Sequence, residues 1–325
     1  RPSDILVGAD GALYLSGSVD RGAENNNAGD QDGPGIIYRL APKGFRPAIR
    51  TSSADSIEDA IALLSSPAQN VRHLGFEALQ AAGEKALPAV RSLLGHYNGY
   101  LQARAVWLLP GLGAEGLRLT RSLLDSPDAR TRLLAIRALR NAGEDPLEMV
   151  RKFYVNEPSP AVRREVALSL RDVPAQQRST YLSYFLRRCS AGDRTYLEAC
   201  GLAAEGAEDL VWARLKSVAR ITEALEWPEA FARITWRLHP GTAIPDLQKR
   251  ALAEDLSATA RLLAVETLAF TDDPVARDAL IEVAKAKGPT GEEALRWLQH
   301  LAETRWKDFD VFTLLREHGL LDLEN

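Results

Sequence analysis

Two hydrophobic rhythms divide this chain. Through the first fifty residues the apolar positions come in short β-rich runs: Ile5-Leu6-Val7, then Leu13-Tyr14-Leu15, then Ile36-Ile37-Tyr38-Arg39-Leu40. From Ser56 onward they recur every three or four positions, the spacing that gives an α-helix one apolar side. The first two runs flank Ala9-Asp10-Gly11-Ala12. An Asp-Gly step between two such runs predicts a hairpin, because its tight turn calls for positive φ angles that suit Asp and Gly. The third run ends at Ala41-Pro42-Lys43-Gly44. Between them, Gly17 to Gly35 is rich in Gly, Asn and Asp and has no apolar period, so it reads as a long loop. Its carboxylates and amides are of the type that ligate calcium. The oxygen-ligand alternation and closing Glu of a calcium loop are missing, and a plain loop is the favoured reading. Three strands cannot bury both faces of a sheet. They are expected either to pack against the helices that follow or to be the last strands of a larger all-β domain upstream of Arg1.

The helical part repeats itself. Val71-Arg72-His73-Leu74-Gly75-Phe76-Glu77-Ala78-Leu79 aligns with segments beginning at Thr131, Val162 and Ala260. The aligned arginines are Arg72, Arg132, Arg163 and Arg261, with Arg194 placed in the same slot. Each step between them is one or two repeat units. Leu101 to Leu109 fills the skipped register, with Gln102 in the arginine position. Each unit reads as an amphipathic helix, such as Ile57 to Leu64 or Leu117 to Leu124, a turn with proline, and an arginine-led second helix. The turns Ser65-Ser66-Pro67, Asp125-Ser126-Pro127 and Glu157-Pro158-Ser159-Pro160 are expected to stop the first helix, since proline lacks the N–H and restricts the residue before it. Gly75, Ala78, Ala135 and Ala138 leave room for close helix approach. A pair of this kind cannot bury its apolar side alone, so successive pairs stack.

The expected fold is therefore mainly α: a right-handed α-solenoid of about eight helical pairs, preceded by a short antiparallel β segment of about three strands. The expected divisions are a strand segment at 1–44, a linker at 45–55, the solenoid at 56–302 and a C-terminal cap or linker at 303–325.

Composition narrows the chemistry. The 325 residues carry 40 Lys and Arg against 44 Asp and Glu, a formal charge of -4, which supplies no net field for nucleic acid or an anionic membrane. Cys189 and Cys200 are too few for a disulfide framework or a multi-thiolate metal site. They fall near the two helices of one unit, where a bridge is geometrically conceivable in an exported protein, but separate buried thiols are preferred. The histidines His73, His96, His239, His300 and His318 offer no i,i+4 pair for a zinc site and read as surface or helix-end residues. No Gly-x-Ser-x-Gly elbow is present, and no Gly-x-Gly-x-x-Gly or phosphate loop follows a strand. No catalytic residue and no metal ligand is assigned. No run of about 18 apolar residues would span a membrane. The chain opens on Arg1-Pro2-Ser3, with neither Met nor a signal-peptide core, and is expected to be a piece of a longer protein.

The proline turn followed by Val-Arg-x-x-Ala-x-x-Ala-Leu resembles the HEAT repeat in a short variant of about 30 residues. Fold alone does not give function here, because HEAT solenoids serve many. A narrower resemblance joins the two ends. Arg1-Pro2 with the hairpin Gly8-Ala9-Asp10-Gly11-Ala12-Leu13-Tyr14 resembles the closing blade of a glucose/sorbosone-dehydrogenase-like β-propeller, and Gly35 to Leu40 resembles that blade's next strand. A propeller end followed by HEAT repeats is the layout of the large membrane-associated dehydrogenases of the planctomycete type, which close with a c-type cytochrome domain. Asp193 to Gly206, Phe231 to Leu238 followed by Pro240, and Leu262 to Phe270 are similar to segments of their helical region. The resemblance implies an oxidoreductase parent, exported to the periplasm or cell surface, with c-type haem and a quinone. It also implies that this chain holds neither: Cys189 is followed by Ser190-Ala191 and Cys200 by Gly201-Leu202, so the haem-attachment motif Cys-x-x-Cys-His is absent. The expected partners are the parent's own propeller and cytochrome domains or another protein, with no nucleic acid.

Two candidate binding features stand out. The arginine slot, Arg72, Arg132, Arg163, Arg194 and Arg261, reads as an anion- or partner-binding ladder, since guanidinium forks suit carboxylates and phosphates. The competing and preferred reading is structural, with each arginine bonding carbonyls and neighbouring acids such as Asp128 or Glu165. Trp212, Trp227 and Trp236, interleaved with Arg214, Arg220, Arg233 and Arg237, lie where the repeat is most irregular and form the second candidate surface, set against ordinary core packing. Two other functional readings compete with the dehydrogenase segment: a stand-alone protein-binding scaffold, and a HEAT-type lyase or DNA glycosylase. The balanced charge weighs against DNA.

Overall fold

The computed structural model describes residues 2–17, 36–45 and 54–321. The calcium-loop reading of residues 17–35 falls almost wholly outside them, as does most of the expected linker at 45–55. The chain is an α-solenoid of helical pairs preceded by a small antiparallel sheet. It divides into two compact units, Arg1–Glu144 and Asp145–Asn325.

The first unit opens with β1 (Pro2–Val7), β2 (Leu13–Gly17) and β3 (Ile36–Leu40) in the order β1-β2-β3. Val7 pairs with Leu13 and Leu13 with Leu40, so the three apolar runs align side by side. In the hairpin turn only Gly11 takes positive φ, at 84°. Asp10 contributes its carboxylate instead. Oδ1 accepts from the Ala12 amide at 3.1 Å, and Oδ2 accepts from Tyr14 Oη at 3.1 Å and from Arg39 Nη2 at 2.8 Å. One side chain thus ties the turn to both β2 and β3, and the Arg39 bond holds its carboxyl below the usual carboxylate range. The helices that follow leave the sheet largely uncovered. Ile5, Leu6, Ile37, Tyr38 and Leu40 are all at least half exposed, on both sides of the pleat.

Three helical pairs follow: α1 (Ile57–Leu64) with α2 (Gln69–Ala82), α3 (Leu87–Ser92) with α4 (Gly99–Leu108), and α5 (Gly113–Ser122) with α6 (Ala129–Asn141). The caps explain the boundaries. Ser56 accepts from the Asp59 amide at 3.1 Å and Asp128 from the Thr131 amide at 2.9 Å, each satisfying an orphan donor of the first turn. Gly75 sits where α1 and α2 nearly touch, since a Cβ there would lie 2.5 Å from the Ala60 carbonyl. Leu64, Leu79, Val90, Leu108, Leu109 and Leu112 form the centre of this unit's core, each at most 1% exposed.

The described residues of the second unit form five pairs: α7 (Pro146–Phe153) with α8 (Pro160–Ser169), α9 (Ala175–Leu186) with α10 (Arg194–Ala204), α11 (Glu208–Val218) with α12 (Glu229–Leu238), α13 (Ile244–Leu252) with α14 (Ala258–Phe270), and α15 (Pro274–Ala284) with α16 (Pro289–Glu303). The second helices α8, α10, α12, α14 and α16 pack each on the next and form one layer. Pro160 opens α8 at its first position, where a missing N–H costs nothing, and α7 has already ended at Phe153. That proline starts a helix rather than stopping one. Beyond α16 the chain turns through Trp306, fully buried, into α17 (Val311–Glu317), whose Leu315 is also fully buried. No described helix is long and apolar enough to cross a membrane.

Candidate functional site

The arginine slot resolves into a local device. Arg72, Arg132, Arg163 and Arg261 occupy the fourth position of α2, α6, α8 and α14. In the first three, Nη1 turns back onto two carbonyls of the preceding turn. Arg72 reaches Ser66 and Pro67 at 3.0 and 2.7 Å, Arg132 reaches Ser126 and Pro127 at 2.8 and 3.0 Å, and Arg163 reaches Glu157 and Pro158 at 2.9 and 2.8 Å. A turn built around proline leaves carbonyls that no helix amide can reach, and a long cationic fork from the next helix satisfies them. Gln102 does half of this in α4, donating from Nε2 to the His96 carbonyl at 2.6 Å. Arg261 departs from the pattern, and its Nε is buried without a hydrogen-bond partner among the described residues. The turn before it carries no proline.

Arg194 does not belong to the slot. Asp193 caps α10 by accepting from the Tyr196 amide at 3.0 Å, which makes Arg194 the first helical residue and puts Leu197 in the fourth position. The even spacing from Arg163 is coincidental, because the unit before α10 is longer, chiefly through a first helix α9 of 12 residues against 8 for α7. Arg194 is exposed and pairs with Glu198 at 3.6 Å.

The tryptophans also separate. Trp212 and Trp227 are buried with Phe231 in an aromatic cluster, with centroids 5.0 to 6.0 Å apart. Trp212 Nε1 donates to Thr235 Oγ1 at 2.9 Å, while Trp227 Nε1 is buried with no partner among the described residues. Trp236 lies elsewhere on α12. It begins an aromatic row across the second-helix layer: His239 at 6.1 Å, then Phe270 at 5.6 Å from His239, Trp297 at 5.5 Å and His300 at 6.1 Å. His239 ends α12 in the left-handed region at φ 46°. It is a helix-end residue, as its sequence position implied, but half-buried: burial, with Arg237 and Arg305 nearby, lowers its pKa to about 4.

Of the four arginines interleaved with these tryptophans, Arg214 donates to Thr180 Oγ1 at 3.1 Å and Arg237 to Glu198 at 2.5 Å. Arg220 takes positive φ at 55° just after α11. Arg233 alone of the four lines a cavity of about 380 Å³, which opens between the N-terminal ends of α12 and α14. The lining combines the apolar surfaces of Trp227, Leu256 and Leu263 with the guanidiniums of Arg233 and Arg250, the carboxylate of Glu229 and two hydroxyls.

Arg250, absent from the sequence reading, is the unusual member. It is 4% exposed, stacks its guanidinium 4.9 Å from the Trp227 ring and donates from Nη1 to the Ala224 carbonyl. Burial lowers its pKa from the ordinary arginine value. The legible signal was an arginine on the apolar side of α13, in line with Ile244, Leu247 and Ala251.

Cys189 and Cys200 are free and buried. Burial raises both thiols, Cys189 to about 11. Neither has an adjacent Cys or His to attach a haem, so the residues present do not fit that group. No group of three or more His, Cys, Asp or Glu among the described residues could hold a metal ion.

No protein-family model matches the chain, and no curated protein matches it. Among solved structures it is similar, at 19% identity and a TM-score of 0.27, to the complex of CpcE and CpcF of phycocyanin lyase from Nostoc sp. PCC7120, covering 84% of this chain and 98% of that one. It is also similar to an engineered protein, at 14% identity and a TM-score of 0.22, covering 81% of this chain and 96% of that one.

Proposed function

We propose that this chain is the non-catalytic helical-repeat segment of an exported propeller dehydrogenase, holding a catalytic propeller and an electron-accepting c-type haem domain in fixed relation. The observation that carries the reading is the sheet. Its strands are apolar on both sides yet exposed, with Ile37 at 74%, and β1 and β3 are both edge strands among the described residues. A sheet with open edges and two bare apolar faces is stable when further strands flank it and neighbouring sheets cover it. A propeller blade has four strands, and three stacked beside another blade meet both needs. The hairpin residues Gly8 to Tyr14 supply the independent support, through their resemblance to a closing blade. The solenoid then acts as a spacer between domains or a docking surface for another protein, at the periplasm or cell surface. Haem and quinone would be bound by residues outside this chain.

The test is the complete native protein, purified from its source. Covalent haem, seen as a reduced-minus-oxidised α-band and as haem staining after denaturing electrophoresis, together with dye-linked oxidation of a sugar or alcohol, supports the reading. A complete protein that lacks both covalent haem and β-blades overturns it and leaves a stand-alone repeat scaffold.

A further inference from the structure

The cavity beside Trp227 has one uncompensated charge. Arg233 Nε is matched by Glu229 Oε1 at 3.0 Å, so that pair is neutral. Asp246, one helical turn before Arg250 on α13, acts on Arg250 through space but forms its ion pair with Lys216 at 2.5 Å, so one carboxylate is shared between two cations. Among the described residues no carboxylate forms an ion pair with Arg250, whose partners are the Ala224 carbonyl and the indole face of Trp227. An arginine only 4% exposed and without an ion-paired anion is costly, because a buried charge needs a counter-charge to offset its lost hydration. The Ala224 bond uses Nη1 alone, which leaves the rest of the fork to the open cavity that the residue lines.

A further feature has the same sign. The thirteen-residue helix α14 begins at the cavity wall, with Ser257 capping the Ala260 amide at 3.2 Å and the amides before it unmatched within the helix. Helix N-termini favour negative charge.

We infer that this cavity binds a small organic monocarboxylate with an apolar or aromatic body. The carboxylate supplies the missing counter-charge of Arg250, whose planar fork matches its two oxygens. The body lies along Trp227, Leu256, Ala260 and Leu263. A monoanion is specified by charge count, since one net positive charge faces the space and Glu229 repels a second negative charge. This site is independent of the dehydrogenase reading and would exist in a stand-alone scaffold equally.

The test is isothermal titration calorimetry of the full chain against benzoate, phenylacetate and hexanoate, their neutral amides, and inorganic phosphate. At least one carboxylate is expected to bind with one-to-one stoichiometry. Its amide and phosphate are expected to bind at least about tenfold more weakly, the scale of one charge-assisted bidentate contact. Ala260→Leu fills the cavity from a partly exposed helical position and should abolish binding without changing the melting temperature, and Arg250→Met should weaken it by a similar factor. Absence of binding by all three carboxylates overturns the inference. So does equal affinity for acid and amide, or unchanged binding in a folded Ala260→Leu variant.

Discussion

Arg163 Nη1 lies 2.8 Å from the carbonyl oxygen of Pro158, and the same nitrogen holds the carbonyl of Glu157 at 2.9 Å. Arg72 and Arg132 repeat the relationship in their own units, which makes the arginine of this repeat a clasp on the turn before its own helix. Losing it strands two carbonyls, and for Arg163 they are stranded in a buried place. Arg163→Met is expected to cost about 2–3 kcal/mol, and Arg72→Met, at a more exposed turn, about 1 kcal/mol. Urea denaturation of the two variants checks the order. Equal costs would show that burial of the turn does not set the strength of the clasp.

Gly201 on α10 lies beneath the guanidinium of Arg237 on α12, and a Cβ there would collide with Arg237 Cζ. The same guanidinium bonds Glu198 through Nε at 2.5 Å. Gly201→Ala should therefore displace Arg237 and destabilise the protein by about 1 kcal/mol, despite the better helix propensity of alanine. In an Arg237→Ala background the same change should stabilise by about 0.5–1 kcal/mol. A double-mutant cycle by chemical denaturation reads the reversal of sign. Without it, close packing against Arg237 is not what keeps position 201 a glycine.

His239 is held neutral by burial, with a folded pKa of about 4 against an unfolded value near 6.5. Between those values the unfolded chain binds the proton and the folded chain does not, so stability falls as pH drops through this window. The full linkage is about 3 kcal/mol, reduced because the ring is only partly buried. His239→Asn keeps a residue that tolerates the left-handed backbone and removes the titration. Its melting temperature should fall less than that of the wild type between pH 6.5 and 4. Parallel curves would refute the assignment.

Cys189 and Cys200 should resist a thiol reagent in the native state at pH 8, because burial raises both thiols and withholds the reactive thiolate. Slow labelling by Ellman's reagent, with Cys189 ahead of the fully buried Cys200, and fast release of two equivalents in guanidinium, is the expected pattern. Reductant should leave the melting temperature unchanged. Fast native labelling would show that the helices around Cys200 open more readily than their packing implies.

Much of this architecture can be read directly from the residues. The change from paired apolar runs to a three-to-four period locates the join between sheet and helices. The arginine followed three places on by a small residue marks α2, α6 and α14, the Val162-Arg163 pair marks α8, and Gln102 marks α4. These signals are local, carried by helix periodicity, capping side chains and turn prolines, which act over a short stretch of chain. What the sequence misplaced was Arg194, where regular spacing concealed a longer first helix, and only the Asp193 cap sets the true start of α10. Only the tertiary structure decided the rest. It separated Trp236, on one side of α12, from Trp212 and Trp227, which gather around Phe231. It brought Arg250 of α13 to the Trp227 ring. It put the ion pair of Asp246 on Lys216 and left Arg250 without one among the described residues. Periodicity reports which side of a helix is buried, but not which charge is already matched once helices meet. Charge pairing across neighbouring helices is a property of packing, and the candidate site exists only there.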